Sequence, residues 1–184
     1  MVSSGSRFLL EDGELLALRG FGDDDLSCLK GLHDVRKVNL RAPRVTDAGL
    51  AYLKGLKNLS WVRLDQCAVT DAGLEHLAGL PLTALFLGHT NITDVGVGIL
   101  ASFGLEILSL EGTAISDGCV EHLGKMDRLQ WLNLNGTKIT GEGLMRLQPP
   151  KTLMTVYLKN TAIDDEWVVK LQTTCLANCA VWTS

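Results

Sequence analysis

Aromatic residues are scarce in this chain: four Phe, four Trp and two Tyr among 184 residues. Long apolar runs are missing altogether. None approaches the roughly 18 residues of a membrane-spanning helix, so no membrane segment is expected. Near the N-terminus Phe8-Leu9-Leu10 runs straight into Glu11-Asp12, too short an apolar core for a signal peptide, and the expected compartment is cytoplasmic or otherwise intracellular. A basic excess is missing too. Lys and Arg number 17 against 21 Asp and Glu, a formal charge of -4, which argues against a nucleic-acid partner. There is no P-loop, no G-x-G-x-x-G after a strand, no H-E-x-x-H and no G-x-S-x-G, so neither an enzyme nor a cofactor is expected. What remains, 46% hydrophobic and 21% charged, is the composition of a folded chain. Leucine is heavily over-used, at 34 residues, and that excess is periodic.

The unit is easiest to see from Leu59: Leu59, Val62, Leu64, Cys67, Val69-Thr70-Asp71, Gly73-Leu74 and Leu77. One repeat earlier stand Val35, Val38, Leu40, Pro43, Val45-Thr46-Asp47, Gly49-Leu50 and Leu53. Four further copies begin at Leu82, Leu105, Leu129 and Leu153, with a spacing of 23 or 24 throughout. Alternation in L-x-L places both apolar residues on one side of a short strand. Ser/Thr-Asp just ahead of Gly-Leu-x-x-Leu marks a helix start, where the Thr or Asp side chain can accept a hydrogen bond from a free N–H of the first turn. A single strand–turn–helix unit cannot bury its own apolar face, so neighbours must stack into a solenoid.

The pattern L-x-x-L-x-L-x-x-(N/C/T)-x-(I/V)-T-D-x-G-L-x-x-L resembles the leucine-rich repeat family, in its short T-D-A-G-L form within the ribonuclease-inhibitor-like superfamily. The resemblance covers Val35 to Leu171, and it implies an α/β right-handed arc with a parallel sheet on the concave face and short helices on the convex face. The expected organisation is one domain: an N-terminal cap with a degenerate repeat over 1–34, six repeats over 35–171, and a C-terminal cap over 172–184. In the first cap Leu16, Phe21, Leu26, Leu29 and Leu32 sit at repeat-like offsets. In the last, Leu176-Ala-Asn-Cys179-Ala-Val181 reads as another L-x-x-L-x-L, a final edge strand with Trp182 near its end. An edge of this kind leaves self-association open.

Several columns invite a chemical reading, and each has a plainer one. Asp47, Asp71, Asp94, Asp117 and Asp165 are read as helix caps and turn-bonding groups, since no Gly-rich calcium loop accompanies them. His76 and His122 lie two repeats apart, roughly 10 Å, too far to share one metal ion. Cys67, Thr90, Thr113, Thr137 and Thr161 stand where the family often has Asn, and their polar groups are expected to bond backbone in adjacent repeats. The five Cys include no C-x-x-C; Cys175 and Cys179, four apart, are the one suggestive pair, and free thiols are expected. Secreted members of the family commonly staple their caps with Cys clusters, so the resemblance also implies an intracellular form. Departures at Cys119 and Trp167 for Gly, and at Gly141 for Asp, predict irregularity in the fourth to sixth helices.

The strand positions that face solvent carry the functional expectation. Trp61, Phe86, Ile107, Trp131 and Tyr157 form a band across five neighbouring strands, roughly 20 Å long. Arg63, Asp65, Glu111, Asn133 and Lys159 accompany it, and a basic corner of Arg36, Lys37, Arg41, Arg44 and Arg63 flanks it. Aromatic residues with an Arg beside them dominate interface energies. The expectation is therefore a non-catalytic protein–protein interaction module that holds a protein or peptide on its concave face. The alternatives are a structural subunit docked through its caps or convex helices and, by resemblance only, the substrate receptor of a ubiquitin ligase. The latter needs an adaptor-binding motif ahead of the repeats, for which 1–34 is too short and too repeat-like.

Overall fold

The computed structural model describes residues 8–11, 14–17 and 21–183; for 8–11 and 15–17 it describes the backbone only. The expectations for Met1 to Ser6 and for the Leu16 side chain lie outside the described residues. The repeat dictates a sheet that grows by one strand per unit. Strands β1 (Phe8–Glu11) and β2 (Glu14–Ala17) pair antiparallel. Parallel to β2 follow β3 (Lys37–Asn39), β4 (Trp61–Arg63), β5 (Ala84–Phe86), β6 (Ile107–Ser109), β7 (Trp131–Asn133), β8 (Thr155–Tyr157) and β9 (Ala180–Trp182). All nine form one sheet in chain order. The antiparallel β1–β2 hairpin is a feature the repeat pattern does not announce.

Each repeat strand buries its middle residue and the Leu two positions on: Val62 and Leu64, Leu85 and Leu87, Leu108 and Leu110, all fully buried. A side chain of this size contributes about 1.5–3 kcal/mol on burial. The backbone then leaves the strand through a left-handed residue in five successive units: Gln66, His89, Gly112, Gly136 and Asn160. Only two are Gly, and Asn and His are among the residues that tolerate this region. Just beyond, the Thr column folds back on its own unit. The hydroxyls of Thr90, Thr113, Thr137 and Thr161 donate to the carbonyls of Leu87, Leu110, Leu134 and Leu158 at 2.6, 2.6, 2.7 and 2.6 Å. That corrects the expectation of bonds between repeats: a hydroxyl reaches the carbonyl three residues back without leaving its turn. Cys67 alone crosses, its Sγ 2.7 Å from Leu40 O.

Short helices return the chain along the other side, some α and some 3-10: Asp47–Leu50 continuing as Ala51–Gly55, Asp71–Leu77, Asp94–Leu100, Asp117–Cys119 continuing as Val120–Leu123, Gly141–Leu144 and Asp165–Gln172. Thr46, Thr93, Ser116 and Thr140 cap their own helices. The Asp residues that follow do something else, and it is what joins the units. Asp23 accepts from Thr46 N–H and its hydroxyl (2.8 and 2.6 Å). Asp47 does the same for Thr70 (2.8 and 2.6 Å), and Asp71 for Thr93 (2.9 and 2.6 Å). Asp94 serves Ser116 (2.7 and 2.6 Å), and Asp117 serves Thr140 (2.8 and 2.7 Å). Every seam from the first repeat to the fifth carries this two-bond lock. Gly49, Gly73, Gly96 and Gly143 make room for it, since a Cβ at any of them would overlap a carboxylate oxygen of the preceding unit. In the fourth repeat Cys119 takes the Gly position, and the Asp94 carboxylate crowds Gly118 instead.

The sixth repeat locks differently. Asp164 replaces the Thr and caps its own helix through Trp167 N–H at 3.0 Å. With no hydroxyl donor at that position, an Asp in the fifth repeat would face a second carboxylate; that place holds Gly141. The vacated space is filled by the Trp167 indole, against which a Cβ on Gly141 would collide. Lys170 Nζ lies 4.3 Å from the centre of that ring. Asp164 for Thr, Gly141 for Asp and Trp167 for Gly are thus one coupled change, separate from Cys119 in the fourth repeat.

All five cysteines are free. Burial pushes the Cys67 thiol up to about 11. Burial and then the neighbouring Asp94 push that of Cys119 up to about 12. Since the thiolate is the nucleophile, iodoacetamide at neutral pH should leave both unmodified in the folded protein and label both in denaturant. Peptide mass spectrometry reads the outcome, and native labelling of Cys119 would mean that the seam opens.

Candidate partner-binding face

Residues one and three of strands β3 to β9 point away from the core, onto the inner face of the arc. Register sorts them into two rows. One holds Lys37, Trp61, Ala84, Ile107, Trp131, Thr155 and Ala180; the other holds Asn39, Arg63, Phe86, Ser109, Asn133, Tyr157 and Trp182. From Trp61 to Tyr157 the rings alternate between rows and meet on the diagonal, whereas Tyr157 and Trp182 are direct neighbours in one row. Ring centres are 5.2 Å apart for Trp61 and Phe86, 6.4 Å for Phe86 and Trp131, 5.1 Å for Trp131 and Tyr157, and 6.4 Å for Tyr157 and Trp182. The first three pairs are tilted and the last is stacked, geometries in which aromatic pairs attract. Phe86 and Trp131 meet across β6, where Ser109 leaves room for both. Trp61, Phe86, Ile107, Trp131 and Tyr157 are half-buried, whereas Trp182 is 52% exposed.

The charged residues singled out from the sequence are mostly engaged with one another. The Arg63 guanidinium lies 5.2 Å from the Trp61 ring centre and 4.7 Å from that of Phe86. Its buried Nε is 3.3 Å from Asp65 Oδ2, a contact without hydrogen-bond alignment. Asp65 also accepts the Gly88 N–H at 2.8 Å. Asn133 is buried, and its Nδ2 donates to Glu111 Oε2 at 3.0 Å. His89 Nε2 is 3.9 Å from Glu111 Oε1. Lys159 is exposed at the rim; its own N–H donates to Asn135 Oδ1 at 2.7 Å. Asn133, expected at the surface, is buried, and so are Ala84, Gly88 and Ser109. Ala84, for one, sits between Trp61 and Ile107 in the sheet register.

Phe86 and Trp131 stand as a ridge between two depressions. On one side is an apolar groove of about 350 Å³, lined also by Ile107, Gln130, Met154 and Thr155. On the other is a polar pocket of about 240 Å³, with Arg41, Arg63, Asp65, His89, Glu111 and Asn133 in its wall. A third depression, about 320 Å³, lies between residues 29–33 and 51–56, away from the rings.

Met154, 63% exposed, was not singled out from the sequence, and Trp182 was placed near the end of the final edge strand but not in the band of rings. Met154 precedes its strand and belongs to no alternating column. Trp182 is left out of that band through a two-residue shift. The reading Leu176-x-x-Cys179-x-Val181 aligns Val181 with Leu158, whereas the sheet pairs it with Val156 and Trp182 with Tyr157. A shift of two keeps the same face outward, so hydrophobic alternation alone cannot detect it.

Comparison with known proteins agrees with this architecture. The family described as Leucine Rich repeat matches residues 129–147. No curated protein matches the sequence. Among solved structures, an internalin C2 from Listeria monocytogenes str. 4b F2365 superposes with a TM-score of 0.69. It is 22% identical, and the match covers 94% of this chain and 80% of that one. At that identity the likeness is one of fold. Among the described residues no helix is long and apolar enough to cross a membrane.

Proposed function

We propose that this leucine-rich repeat protein is a non-catalytic interaction module whose inner face holds a protein or peptide, with Trp61, Phe86 and Trp131 as anchors. The observation that carries the reading is the unbroken chain of five rings from β4 to β9. Rings already packed on one another lose little side-chain entropy when a partner covers them. Large aromatic residues at the centre of an interface, with an Arg among them, are where binding energy concentrates. The polar pairs of Asp65 with Arg63 and of Glu111 with Asn133 supply a rim of fixed charge around this centre.

The test compares wild type with a Trp61→Glu/Trp131→Glu variant in affinity capture from the source cell's lysate, followed by cross-linking mass spectrometry. Both positions are half-exposed, so the variant should keep its fold, as circular dichroism can verify. A partner cross-linked near the strands should fall by about 30-fold or more, the effect of losing two interface hot spots. A partner retained by both proteins and cross-linked at the helices or caps would instead identify a docked structural subunit.

A further inference from the structure

We infer that the occupant of the inner face is an extended segment with an apolar middle and a carboxylate toward each end, the two about seven residues apart. The inference rests on the proposed inner-face binding and adds the chemistry of what binds. From β3 to β8 each acid that borders the rings already has a partner: Asp65 has Arg63 and the Gly88 N–H, and Glu111 has Asn133 and His89. Glu111 apart, whose partners are a neutral amide and an imidazole 3.9 Å away, the charges on that stretch that form no ion pair among the described residues are cations. They are Lys37 beside Trp61, Arg41 on the wall of the polar pocket, and Lys159 at the rim of β8. Glu14 on β2 stands across from Lys37 and offsets part of its charge, so Arg41 carries the larger share at that end.

The two cationic ends fix a length. Arg41 follows β3 and Lys159 follows β8, five strand spacings apart, about 24 Å. An extended chain covers that span in about seven residues. Between the ends lie the Phe86–Trp131 ridge and the apolar groove that runs to Met154. Apolar side chains of the segment would fill the groove, and its terminal carboxylates would meet Arg41 and Lys159. Pairing of this kind favours one class of sequence and speeds its encounter more than it deepens affinity.

The probe is a phage-displayed library of random short peptides, selected on the full chain. Selected peptides should carry Asp or Glu on both sides of an apolar stretch. Their synthetic versions should bind an Arg41→Glu/Lys159→Glu variant about tenfold more weakly at low salt, with the difference shrinking as salt rises. Both positions are exposed, and an unchanged unfolding midpoint confirms that the variant is folded. Peptides that are sensitive to Trp131→Glu but carry no acids, or ignore the charge reversal, would overturn the inference and leave the binding face standing. Peptides indifferent to Trp131→Glu would overturn the binding face as well. A selection that returns no binder overturns the inference.

Discussion

Gly141→Asp, which restores the residue that four earlier repeats carry at this position, should destabilise the protein by about 3 kcal/mol or more. In those units an Asp at this place reaches forward to a Thr or Ser hydroxyl and N–H of the next unit. At the joint between the fifth and sixth units the next unit offers Asp164 instead, whose carboxylate is itself an acceptor and is occupied by Trp167 N–H. The new carboxylate would meet a like charge, and its Cβ would drive into the Trp167 indole. Relief requires the indole to swing into solvent, which gives up its packing on the helix and its contact with Lys170. Urea unfolding followed by circular dichroism measures the loss. The triple variant Gly141→Asp/Asp164→Thr/Trp167→Gly, which rebuilds the ordinary lock, should recover most of it. A neutral Gly141→Asp would show that the three departures are not coupled.

Asp71→Ala should cost about 3 kcal/mol, whereas Asp164→Ala should cost only about 1 kcal/mol. Both are Asp residues at the start of a repeat helix, and a capping argument alone would give them similar values. Asp71, however, accepts two hydrogen bonds from the next unit, at 2.9 and 2.6 Å, in a partly buried seam. Its loss leaves the Thr93 N–H and hydroxyl without their charged acceptor. Asp164 accepts one bond from within its own helix, exposed to solvent. A Cβ on Gly96 would meet Asp71 Oδ1 first and Ile92 Cγ2 next, so Gly96→Ala should be costly in wild type and milder, though not free, beside Asp71→Ala. Equal losses for the two Asp→Ala variants, or strict additivity at positions 71 and 96, would sink the seam-lock reading.

These effects mark where the sequence was legible and where it was not. The strands were: Val62, Leu85, Leu108 and Leu132 each fall at the middle of a three-residue strand, because two-residue alternation tied to a fixed period leaves one register that buries them. The helix starts were also legible, since Thr before Asp-x-Gly is a local signal that Thr46 and Thr93 use as read. What the Asp does was not. Its partner is 22 or 23 residues away, and within one unit the spacing looks the same whether it caps its own helix or grips the next. The same limit hid the bond from Cys67 to Leu40 and the coupling of Gly141 to Trp167. On the inner face, Trp61, Phe86, Trp131 and Tyr157 were visible as outward residues, and Trp182 was displaced by the two-residue shift. The pairing of Arg63 with Asp65 and of Glu111 with Asn133 depends on side-chain rotamers that no pattern encodes.

The forward-reaching Asp makes most units of this protein interchangeable parts. Any unit that ends one seam with Asp and begins the other with Thr or Ser, and Gly two or three positions on, presents the same plug and socket to its neighbours. A tandem duplication or deletion of one whole unit among the first five seams would leave every joint matched, and gene-level length changes there would be tolerated. The joint between the fifth and sixth units is keyed otherwise, through Gly141, Asp164 and Trp167. A recombination breakpoint at that joint would bring together halves that do not fit, so the last two units should be inherited as a pair.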